Sequence, residues 1–111
     1  AHWHLTRVEF AGGHFWARDA GHAVGERVRV RVLARDVSIA LDRSLNTSIL
    51  NALPATVEAI AGDEHPALAL VRLRLGPSPL LARLTRRSMQ ALDIAPGRVV
   101  IAQVKAVALV G

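Results

Sequence analysis

The run Val99-Val100-Ile101-Ala102-Gln103-Val104-Lys105-Ala106-Val107-Ala108-Leu109-Val110 sets the character of this chain. It is rich in valine and apolar apart from Gln103 and Lys105, the composition of a buried strand, and its length predicts one strand that bends or splits. Within it stands Lys105, the single lysine among fourteen basic residues; all other positive charge is arginine. An ammonium in a buried strand costs on the order of several kcal/mol unless it meets an anion, a carboxylate or water. The identity of that partner is the central question.

Working outward, most of the chain reads as strand. Segments 5–10, 15–18, 27–33, 38–41, 53–60, 67–75 and 80–84 join 99–110 as candidates, punctuated by Gly12-Gly13, Gly62-Asp63 and Pro77 to Pro79. Arg27, Arg29 and Arg31 alternate with Val28, Val30 and Val32, the period of a strand with one wet face. Only 85–92 looks helical: Thr85 is a suitable N-cap, Met89 and Leu92 share a face, and Pro96-Gly97 closes the segment. Many short strands and one small helix predict an all-β chain built as a compact barrel.

Composition narrows the function. At 111 residues the chain is one domain or two very small ones, and 51% hydrophobic content suffices for a core. With no cysteine there is no thiolate metal site and no disulfide, which fits the cytoplasm. Apolar runs break well short of the roughly 18 residues that span a bilayer, and no signal-peptide pattern opens the sequence. A net charge of +5 favours an anionic partner. His2, His4, His14, His22 and His65 lack a ligand spacing, so no metal centre is expected. There is no phosphate-binding loop and no nucleophile elbow, so no catalysis is expected.

An internal repeat adds organisation. A shift of 65 positions lays Leu5, Arg7, Ala17 and Arg18 over Leu70, Arg72, Ala82 and Arg83. Past the helix the phase changes, and Arg27-Val28 aligns with Arg98-Val99 while Arg35 and Val37 fall near Lys105 and Val107. The first copy lacks the helix, and the counterpart of 53–60 would precede Ala1. The expectation is a partial copy over 1–43 and a complete one over 44–111, cut from a longer polypeptide.

Three stretches carry a family resemblance. Thr47-Ser48-Ile49-Leu50-Asn51, with Gln103-Val104-Lys105-Ala106-Val107, resembles the molybdate-binding Mop domain; Ala34-Arg35-Asp36-Val37-Ser38 resembles the related TOBE half found in ATP-binding subunits of molybdate importers. The resemblance implies OB-like small barrels in two tandem copies, the first incomplete. It also implies a tetrahedral oxyanion bound between the domains of a homodimer. Carried over by position, it implicates Ser48, Thr85, Ser88, Lys105, the backbone N–H of Ala106, and Asn51. Some relatives have arginine where this chain has Leu50, which removes one positive ligand.

The chemistry is coherent beside the resemblance. Molybdate is a dianion whose four oxygens only accept hydrogen bonds, so hydroxyls and an ammonium suit it. One lysine neutralises half its charge, and a two-fold interface would bring more. Each residue also has a plain reading: Thr85 as a helix cap, Ser88 as a surface helix residue, Ser48 as a turn residue, and Lys105 snorkelling to the rim.

Three functions follow. The first is a cytoplasmic molybdate- or tungstate-binding regulatory domain of an importer's ATP-binding subunit, peripheral to the inner membrane. Its partners would be the ATPase domain of the same polypeptide and the permease subunits, with no organic cofactor and no nucleic acid. It would sense intracellular oxyanion and inhibit uptake. The second is a molybdate storage or sensor domain. The third is an OB-like module for single-stranded nucleic acid, which the few aromatics, Trp3, Trp16, Phe10 and Phe15, support poorly.

Overall fold

The computed structural model describes residues 5–18, 21, 23–42 and 49–110. The expected all-β architecture is present: nine strands and one short α-helix among the described residues. Strands β1 (Leu5–Phe10) and β2 (Gly13–Arg18) form a hairpin. Then come β3 (Arg29–Arg31), a 3-10 turn at Ala34–Asp36, and β4 (Val37–Ala40). The second half holds β5 (Asn51–Gly62), β6 (Leu68–Leu75), β7 (Ser78–Thr85), α1 (Arg86–Ala91), β8 (Val99–Val104) and β9 (Ala108–Val110).

The main sheet has the order β4-β8-β5-β6-β7, antiparallel throughout. Its two edge strands, β4 and β7, lie against each other, so the sheet curls into an OB-like half-barrel. Alternation explains the curl's interior. Val71, Leu73 and Leu75 point inward from β6 while Arg72 and Arg74 point out, and Val100, Ala102 and Val104 do the same on β8. Each fully buried leucine or valine contributes about 1.5–3 kcal/mol. Val37 and Ile39 of β4 enter the same core, so both of the expected stretches, 1–43 and 44–111, feed one sheet.

The repeat is visible in three dimensions. Leu5 pairs Arg18 and Phe10 pairs Gly13; 65 residues on, Leu70 pairs Arg83 and Leu75 pairs Ser78. The later strands pair crosswise: β4 with β8 and β3 with β9. Since the sequence aligns β3 with β8, each copy lends a strand to the other. The expected 27–33 strand is thereby shortened to the three residues that reach β9.

The closing run splits, as its length implied. β8 ends at Val104 and β9 begins at Ala108. Lys105 falls in the bend, where its backbone N–H donates to the Asp36 carbonyl at 2.8 Å. Its side chain is exposed, which corrects the expectation of an ammonium buried in a strand. The desolvation cost is avoided because the chain breaks at the lysine.

Candidate functional site

Thr85 closes β7 and opens α1. Its backbone is extended (φ −72°, ψ 146°), and its Oγ1 accepts the Ser88 N–H at 3.0 Å. Its hydroxyl donates to Ser88 Oγ at 2.8 Å, which leaves the Ser88 hydroxyl hydrogen to point outward. Both residues are exposed. Thr85 is thus a cap, as its sequence position implied, and the cap brings two hydroxyls together. Met89 and Leu92 pack on the core below them.

Lys105 and Ala106 belong to another place. They line an open cleft of about 850 Å³ whose walls include Leu5, Trp16, Leu50 and Val107. Both residues are exposed on the wall of the cleft. Ile49 and Asn51 also line it; Ser48, next to Ile49, lies outside the described residues.

Asn51 is buried, and both ends of its amide are engaged. Oδ1 accepts the Trp16 N–H at 2.7 Å and Nδ2 donates to the Trp16 carbonyl at 3.0 Å. Its observed work is to clamp β2 onto the start of β5. The cleft also contains Arg18, which reading by motif did not single out. Its one sequence signal is the repeat, which makes it the counterpart of Arg83.

Two groups of donors therefore exist, at opposite ends of β5. Asn51 pairs with Val104, beside Lys105; Gly62 pairs with Ala69, which pairs with Leu84, beside Thr85. Twelve residues of strand lie between these ends, about 35 Å along the chain at the usual rise. Thr85 and Ser88 do not line the cleft. One copy brings Lys105, Ala106 and Asn51 together, and separately Thr85 with Ser88.

Residues 47–110 match the family model of the TOBE domain. The chain belongs to the TOBE domain family. This TOBE chain is 63% identical over 109 residues to the molybdenum import ATP-binding protein ModC of Thiobacillus denitrificans, covering 98% of the chain and 30% of that protein. It is 59% identical over 107 residues to ModC of Methylococcus capsulatus, covering 96% of the chain and 30% of that relative. The chain thus spans about 30% of the length of the curated relatives it matches. Its fold is similar to that of the cytoplasmic molybdate-binding protein ModG, in a crystal form with molybdate bound. The TM-score is 0.81 at 26% identity, over 95% of this chain and 82% of that one.

Proposed function

We propose that this TOBE chain is the molybdate-binding regulatory region of an importer's ATP-binding subunit, and that it takes the oxyanion between two copies. The observation that carries the reading is the division of the donors. Lys105 and Ala106 offer an ammonium and a backbone N–H at one end of β5, and Thr85 with Ser88 offer hydroxyls at the other. An anion a few ångströms across meets both sets only if a second copy lies antiparallel to the first. Lys105 then faces Thr85 of the partner subunit, and a two-fold axis makes two such sites. Ser48 would add a third hydroxyl beside Ile49. Residues 1–43 act as the partial half that lends β3 and β4, and 44–111 as the oxyanion-binding half.

In the whole subunit, cytoplasmic molybdate or tungstate would bind here, on the inner face of the membrane beside the permease subunits. Regulation requires tighter binding to the inactive arrangement of the attached ATPases than to the active one. Catalysis would belong to the remaining length of the polypeptide. The similarity to ModG supports oxyanion binding itself; the 63% identity to a transporter subunit favours regulation over storage. Nucleic-acid binding has little support, since Trp16 is the one exposed Phe or Trp among the described residues.

Titration calorimetry with molybdate, tungstate, sulfate and phosphate tests the reading. Saturable heat for molybdate and tungstate, lost in Lys105→Ala, is expected. Equal weak heats for all four anions would overturn it. Transport by the full assembly that does not slow as internal molybdate rises would remove the regulatory part alone.

A further inference from the structure

The arginines of the two hairpins are not balanced alike. On the β6–β7 hairpin each has a carboxylate: Arg72 Nε lies 2.8 Å from Glu58 Oε1, Arg74 shares the same Glu58, and Arg83 Nε lies 2.9 Å from Asp63 Oδ2. On the β1–β2 hairpin Arg7 lies 3.4 Å from Glu9. Arg18 differs. It has the same register position as Arg83, opposite Leu5 where Arg83 is opposite Leu70, yet no carboxylate among the described residues pairs with it. It is exposed and lines the cleft of Lys105.

The charge of that cleft is then plain. Among the described residues its lining holds two cations, Arg18 and Lys105, and no aspartate or glutamate. The one side-chain amide among the described lining residues, that of Asn51, is engaged with Trp16. Leu50, 63% exposed at the cleft, brings no charge. Two cations around one space with apolar walls repel each other, and a dianion between them reverses the sign. A guanidinium also offers a planar fork of donors that suits two oxygens of one anion, where an ammonium acts as a point charge.

We propose that Arg18 is the second cation of the oxyanion site, and that it makes the site select dianions over monoanions of the same shape. The proposal rests on the oxyanion reading above and assigns the charge that Lys105 alone leaves unmatched.

The test compares molybdate with perrhenate, a tetrahedral monoanion of similar size, by calorimetry on the unmodified chain, Arg18→Gln and Arg18→Lys. Arg18→Gln is expected to weaken molybdate about tenfold or more, the scale of one charge-assisted contact, and perrhenate about threefold or less. Arg18→Lys, which keeps the charge and loses the fork, gives an intermediate molybdate affinity and keeps the preference for molybdate over perrhenate. Leu50→Arg in the Arg18→Gln chain restores molybdate affinity from the neighbouring wall. Because Arg18 is exposed, the melting temperatures of these variants stay together. Molybdate affinity unchanged in Arg18→Gln, or an equal loss for both anions, overturns the role of Arg18 and leaves the oxyanion reading standing. No saturable molybdate binding by the unmodified chain overturns that reading, and the role of Arg18 with it.

Discussion

Gly12 sits against the carbonyl group of Leu75, where the turns of the two hairpins meet. A Cβ built on Gly12 would overlap that oxygen, and the Gly12 φ of +116° is one that other residues rarely adopt. The Ser78 hydroxyl donates to the Ala11 carbonyl across the same junction. The close approach holds the first hairpin onto the main sheet.

Gly12→Ala is therefore expected to destabilise the chain by about 3 kcal/mol or more, from backbone strain and overlap together. Gly97 is the comparison. Its φ is +90° but nothing lies within 4 Å of an added Cβ, so Gly97→Ala should cost only about 1–2 kcal/mol. Urea unfolding of both variants measures the difference. Equal losses would show that the turn junction is not tight.

Removing the Asn51 amide leaves the N–H and C=O of Trp16 without their partners. Asn51→Ala should then cost about 2 kcal/mol or more. Asn51→Asp keeps an acceptor for the N–H but sets a carboxylate against the Trp16 carbonyl. Its cost should shrink as pH falls into the carboxyl range and protonation restores a donor. Denaturant midpoints at neutral and acid pH give both values. A variant as stable as the parent at both would show that β2 is held by packing alone.

Much of the fold was legible from residues alone, because alternation and turn chemistry are local. Thr85 announced the helix start, and the length of 99–110 announced a split strand. The crosswise pairing of β3 with β9 and β4 with β8 was not legible, since strand exchange leaves each strand's own pattern unchanged. The site was half legible. Thr85, Ser88 and Lys105 stand out in the sequence as candidate donors, two hydroxyls at a helix start and the single lysine. The clamp of Asn51 on Trp16, 35 residues away, and the place of Arg18 in the cleft depend on contacts that spacing does not encode.

Thr85 and Ser88 can be separated by two measurements. Thr85→Ala removes the cap and one hydroxyl, so it should lose about 1 kcal/mol of stability together with molybdate affinity. Ser88→Ala removes only an exposed hydroxyl, and its stability should stay within about 0.5 kcal/mol of the parent. Its molybdate affinity should still fall, by about tenfold or more for one hydrogen bond to a charged group. A Ser88→Ala chain that binds molybdate as the parent does would remove Ser88 from the ligand set, and a Thr85→Ala chain that loses stability but keeps its affinity would leave Thr85 a cap only.

Asp63 makes the acid limb of stability measurable. Its carboxylate accepts the His65 N–H at 3.1 Å and a two-point contact from Arg83 at 2.9 and 3.3 Å. The His65 N–H first, and Arg83 second, hold its pKa below the ordinary 3.8. A lowered pKa means that the unfolded chain takes up the proton first. The carboxylate therefore stabilises the fold fully above the ordinary value, and that stability is lost as pH falls through the lowered one. Asp63→Asn should remove this part of the decline, so its denaturant midpoints should fall less steeply than the parent's from about pH 5 down to about pH 2. Arg83→Gln should flatten the curve only in part, because the His65 N–H remains. An acid limb as steep in Asp63→Asn as in the parent would assign the linkage to other carboxylates.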